Sequence, residues 1–109
     1  VYDSYESFYH GLLIGILSRM KGYKIYSNVE SGYGRSDIML EPVGTNTAAI
    51  VIEVKRTKNR KELEKKCEEA LKQIETNKYI EKLEQEGYDD IIKYGITFFK
   101  KRCLAKKAP

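Results

Sequence analysis

Asp37, Glu53 and Lys55 are ionisable residues set in apolar surroundings. Glu53 and Lys55 lie in the run AAIVIEVKRTK, whose Ile50, Val51, Ile52 and Val54 have the character of a buried strand. Side chains of a strand alternate between its two faces. Ile50, Ile52 and Val54 therefore share one face, and Val51, Glu53 and Lys55 share the other. Taking a carboxylate and an ammonium out of water costs several kcal/mol per ion, so a strand built for stability alone would carry Val or Ile there. A connecting turn centred near Thr45 places Asp37 directly opposite Glu53. Two opposed carboxylates repel unless a proton or a cation lies between them. A hard divalent cation removes the conflict, because Mg²⁺ is commonly held by one or two carboxylates with waters and phosphate oxygens completing its shell. Lys55, one alternation further along, can neutralise the pair and help hold or deprotonate an attacking water.

Positioning such a cluster takes a sheet and a helix. Residues 3 to about 21 show helical periodicity, with Tyr5, Phe8, Tyr9, Leu12, Leu13, Ile16, Leu17 and Met20 on one broad stripe, Asp3 or Ser4 as a cap and Gly22 as a stop. Glu6 falls inside the apolar arc and invites a partner, while His10 falls just outside it. Residues 23–30, 36–41 and 47–55 read as three strands joined by the turns SGYG and PVGTN, in which Gly32 and Gly34 suit positive φ. The tract KNRKELEKKCEEALKQIET repeats apolar residues at helical spacing, and Glu62–Lys66 and Glu68–Lys72 are favourable i,i+4 pairs. A short helix over 79–86 closes at Gly87, IIKYGITFF (91–99) is a fourth strand, and residues 103–105 are a short fifth. Short turns imply an antiparallel meander for the first three strands. The long helical connection implies a parallel, right-handed crossover between the third and fourth.

The composition sets bounds. A chain of 109 residues suits one domain with a single core. No apolar run approaches the roughly 20 residues of a membrane span, and no secretory leader is visible. The net charge of +4, from 20 basic and 16 acidic residues, permits a polyanionic partner without demonstrating one. Cys67 and Cys103 lack metal-ligand spacing, so reduced thiols in a cytosolic protein are expected.

Asp37, fifteen intervening residues, and then Glu53-x-Lys55 behind an apolar run resemble the PD-(D/E)XK nuclease superfamily. The order of elements resembles it too. SNVESGYGRSDIML, AAIVIEVK, EALKQIETNKY and KYGITFFKK look closest to a branch found at the C-terminus of AAA-ATPase-like proteins. The resemblance implies an α/β fold: a restriction-endonuclease-like αβββαβ core with a mixed four- to five-stranded sheet flanked by helices. It implies one domain over 1–109, a C-terminal piece of a longer chain, as Val1 in place of Met suggests. It further implies metal-assisted hydrolysis of a phosphodiester in nucleic acid, DNA before RNA, in the cytoplasm. Mg²⁺ or Mn²⁺ would be bound by Asp37, Glu53 and the backbone carbonyl of Val54. Lys55 would position the nucleophilic water and Glu6 would support the metal or its waters. Gln73 and Tyr79 match residues that border the site, and Arg35 is a further candidate for substrate contact. An ATPase-like domain and a second copy of the chain are the protein partners to consider.

Two departures stand out: Ser36 precedes Asp37 where Pro is usual, and Lys100-Lys101 follows the fourth strand where Gly is expected. The same residues also admit plainer readings. Glu53 and Lys55 can form a structural ion pair, Asp37 can cap a turn, Gln73 and Tyr79 can be surface and packing residues, and His10 is better read as packing than as a ligand. The basic run Lys55 to Lys61 either contacts phosphates or merely leads into a charged helix. The competing function is a non-cleaving module that keeps the nuclease fold to grip nucleic acid or to serve an ATPase-like domain. A purely structural assembly domain ranks third.

Overall fold

The computed structural model describes residues 2–30, 35–44, 48–76 and 78–109, with side chains described for 9–28, 37–44, 48–76, 78 and 80–109. Helix α1 (Tyr2–Leu17) leads into strands β1 (Tyr23–Glu30), β2 (Arg35–Pro42) and β3 (Ala48–Arg56). A 3₁₀ turn (Arg60–Glu62), α2 (Leu63–Glu75) and α3 (Lys78–Gln85) then cross over to β4 (Asp90–Phe99) and β5 (Arg102–Lys107). The five strands form one sheet in sequence order. β3 and β4 run parallel, and every other neighbouring pair is antiparallel. This is the mixed α/β sheet flanked by helices that the pattern of alternation and helical spacing predicts.

The alternation of β2 and β3 sorts the core into two layers. Ile38, Leu40, Ile52 and Val54 face α1, packing with Leu13, Ile14, Leu17, Tyr94, Ile96 and Phe98. Met39, Ala49 and Val51 face the other way, against Ile74 of α2 and Leu83 of α3, with Leu71, Ile80, Tyr88 and Ile91 around them. Each fully buried aliphatic side chain contributes about 1.5–3 kcal/mol, so both faces of the central strands must be covered. The odd-numbered face, which includes Asp37 and Glu53, is thus the α2 face.

Several local expectations change. α1 ends at Leu17 rather than near residue 21, because its last turn tightens: Arg19 N–H donates to the Ile16 carbonyl and Met20 N–H to that of Leu17. Gly22, with φ +87°, serves the turn into β1. The contact stripe of α1 is narrower than the apolar pattern suggests. Leu12 and Ile16 are 47% and 57% exposed and Met20 is also exposed, whereas His10 is buried. A helix lying on a sheet buries only the arc that faces it. The i,i+4 pairs of α2 give way to tertiary partners: Glu62 accepts from the Thr57 hydroxyl (3.2 Å), and Glu68 pairs with Lys106 (2.6 Å). β5 is six residues long, not three. Lys100 adopts φ +52° in the β4–β5 turn, doing the work expected of Gly. The turn residues 31–34 and 45–47, with Gly32 and Gly34, and the side chains of Asp3 and Ser4 lie outside the described residues.

Candidate functional site

Asp37 and Glu53 are directly opposed on β2 and β3. Asp37 is 1% exposed and Glu53 0%. Their strand positions dictate how close they come. Thr57 N–H donates to the Phe98 carbonyl at 3.0 Å. Carried back along β3, the alternation turns the backbone groups of Lys55, Glu53 and Val51 toward β4 and those of Val54, Ile52 and Ile50 toward β2. Asp37 and Glu53 are then a non-hydrogen-bonded pair, the kind whose Cα atoms approach to about 4.5 Å and whose side chains lie closer. Both carboxylates also have further polar or electrostatic partners.

The β2–β3 ladder ends at this pair. β1–β2 pairing continues to Glu30↔Arg35 and β3–β4 pairing to Arg56↔Phe98, while the β2–β3 register runs only from Leu40↔Ile50 to Asp37↔Glu53. The central strands therefore part just past the carboxylates, and Val54 has its carbonyl on the side of that gap. Lys55, half-buried, follows on the same face as Glu53.

α2 closes over this face because β4 carries a glycine at the level of Glu53. Gly95 pairs with Glu53, and a Cβ there would meet the Cys67 carbonyl oxygen at 2.5 Å and the Ala70 Cβ at 3.0 Å. One turn along, Cys67 Sγ lies 3.3 Å from Thr97 Oγ1 and donates to the Leu104 carbonyl at 3.2 Å. Burial pushes the Cys67 thiol pKa up, with the Thr97 hydrogen bonds opposing. One flank of α2 faces β5, where Glu64 and Glu68 hold Lys106 at 3.1 and 2.6 Å. The ammonium's pKa is raised, first by its hydrogen bond to Glu68. The opposite flank, with Lys66, Glu69 and Gln73, turns toward β3 and β2. Gln73 Oε1 and Glu69 Oε2 are shut from water there with no hydrogen-bond partner among the described residues. Sequence reasoning singled out Gln73 and passed over Glu69, although its position one helical turn before Gln73 was the available signal.

A family model of the PD-(D/E)XK nuclease superfamily matches residues 4–108. The chain belongs to this superfamily. Comparison with curated proteins and with solved structures gave no match.

Against the superfamily's D…E-x-K pattern, the fold brings Asp37, Glu53 and Lys55 to one face of the β2–β3 end and sets Gln73 on the covering helix. Position 6 lies in α1 one turn before Tyr9, whose hydroxyl donates to the Lys100 carbonyl at 2.8 Å at this same end of the sheet. The side chains of Glu6, Arg35 and Tyr79 lie outside the described residues. His10 packs in the fold, and burial lowers its pKa. Members of the superfamily typically use divalent metals, and the all-oxygen donor set of two opposed buried carboxylates suits a hard cation. Among the described residues no group of three His, Cys, Asp or Glu gathers that could hold a metal ion. Both cysteines are free thiols, Cys67 buried and Cys103 exposed. No described helix is long and apolar enough to cross a membrane.

Proposed function

We propose that this domain is a metal-dependent nuclease that hydrolyses phosphodiester bonds of nucleic acid, with DNA as the substrate. The observation that carries the reading is the buried Asp37↔Glu53 pair at the point where β2 and β3 part. Asp37, Glu53 and the Val54 carbonyl would hold Mg²⁺ or Mn²⁺, which when bound supplies a water of lowered pKa and a positive charge for the phosphate. Lys55, adjacent on the same face, orients that water and offsets negative charge gathering on the phosphate oxygens. Glu6 serves as the accessory acid from α1. Gln73, Tyr79 and Arg35 border the substrate, with the Gln73 carboxamide oxygen available to accept a hydrogen bond. A minimal site of this kind needs no catalytic histidine, and His10 has no part in it. The finer placement of the domain, behind an AAA-ATPase-like segment in a cytoplasmic protein, is likewise a proposal that rests on sequence resemblance.

The test is cleavage of plasmid and single-stranded DNA with Mn²⁺ or Mg²⁺, comparing Asp37→Ala and Lys55→Ala with the parent. Loss of at least about 100-fold in each variant is expected for removal of a group acting at the reacting phosphate. Activity that persists in either variant counts against that residue's role. Tight DNA binding without cleavage of any substrate would favour a module that grips nucleic acid and does not cut it.

A further inference from the structure

At one end of the sheet, the segments 55–61 and 99–102 hold eight of the chain's 20 basic residues and no acidic one. The other end mixes both signs: Glu41, Glu84, Asp89 and Asp90 lie there with Lys24, Lys93 and Lys107. At the basic end a cleft of about 260 Å³ opens between the continuation of β3 and the β4–β5 turn, lined by Tyr9, Arg56, Thr57, Lys58, Phe99 and Lys100. Arg56 follows Lys55 directly, so the cleft adjoins the carboxylate site around the end of β3.

Its walls are fixed. The Tyr9 ring stacks on Phe98 at 4.3 Å with a 3° interplanar angle, and its hydroxyl holds the turn through the Lys100 carbonyl. The Thr57 hydroxyl binds both the Asn59 carbonyl and Glu62, which pins the loop carrying Lys58. Lys100 sits at φ +52°, where glycine is the residue without strain.

We propose that this cleft seats the sugar–phosphate backbone of the nucleic acid strand next to the reacting phosphodiester, with Lys58, Lys100 and Arg56 as the phosphate contacts. The inference rests on the nuclease reading for its ligand, and it adds where the strand runs: across the end of β3, from the carboxylate face to the α1 face. A substrate held this way is a strand with phosphates beyond the one being cleaved, not an isolated nucleotide.

The test is binding of a short fluorescein-labelled single-stranded DNA to the whole chain in EDTA, read by anisotropy as salt is raised from ~50 to ~200 mM. Glycine accepts the turn's φ, so Lys100→Gly removes the charge and leaves the turn intact. It should weaken binding about fivefold at ~0.1 M salt and reduce the salt slope by roughly 0.7, the share of one single-strand phosphate contact. Lys58→Gln should act similarly. Lys72→Gln, an equal charge change on the exposed side of α2, should leave the slope as in the parent. Equal weakening by Lys72→Gln would show attraction by net charge alone and overturn the cleft, as would unchanged binding in Lys100→Gly and Lys58→Gln. The two readings fail separately. DNA cleavage by the parent, with binding unaltered in those two variants, sinks the cleft and leaves the nuclease. Binding that weakens in Lys100→Gly, with no cleavage under any metal, supports the cleft and sinks the hydrolysis.

Discussion

Replacing Glu53 with Gln keeps the shape of the side chain and removes one of two like charges that the fold buries side by side. Charges about 5 Å apart at an effective dielectric constant of about 20 repel by roughly 3 kcal/mol. Lys55 on the same face and the other partners of both carboxylates relieve part of this, as does a proton shared within the pair. A net gain of about 1–2 kcal/mol remains, equivalent to a melting temperature higher by about 4–8 °C for a domain of this size. Thermal unfolding followed by circular dichroism in EDTA checks it. In Mn²⁺ the order should reverse: the parent gains about 2.7 kcal/mol at a hundredfold excess over the dissociation constant, and Glu53→Gln gains far less. A variant less stable than the parent in EDTA, or an Mn²⁺ shift of equal size in both proteins, would refute the argument that the pair is a strained, cation-seeking site.

Two further outcomes test the frame around that pair. Gly95→Ala drives a methyl group into the Cys67 carbonyl and Ala70, so α2 must move outward. We expect destabilisation of about 1–3 kcal/mol in urea unfolding, together with lower nuclease activity because Gln73 travels with the helix; a variant as stable as the parent contradicts this packing. His10 is held below its ordinary pKa by burial, so below about pH 6.5 the unfolded chain takes up a proton that the folded chain resists. The His10 contribution to stability is therefore intact at neutral pH and declines as pH falls through that range, with a slope of at most about 1.4 kcal/mol per pH unit. Unfolding curves between pH 7 and pH 5 (~0.5-unit steps) should show that decline in the parent and a flatter profile in His10→Gln.

Much of the fold was legible because it rests on short-range rules. The period-two runs of β1 to β4 and the apolar spacing of α2 dictate which backbone segments pair, and a turn near Thr45 is enough to set Asp37 against Glu53. Element ends were less legible: the 3₁₀ tightening after Leu17 and the left-handed Lys100 answer to tertiary surroundings that a local pattern does not record. The exposure of Leu12, Ile16 and Met20 beside a buried His10 is of the same kind. Periodicity shows that a helix has an apolar side, and only its neighbours determine how much of that side is covered.

The residue types and their alternation were sufficient to place two carboxylates and a lysine on one strand face, because side-chain direction in a strand follows from covalent geometry. They could not reveal which helix covers that face, that Gly95 admits it at the level of Glu53, or that Glu69 and Gln73 on that helix each bury an oxygen with no hydrogen-bond partner among the described residues. They were equally silent about the cleft formed where Tyr9 meets Lys100, 91 positions later. Those features depend on distances between segments remote in sequence, and such distances exist only once the core has packed.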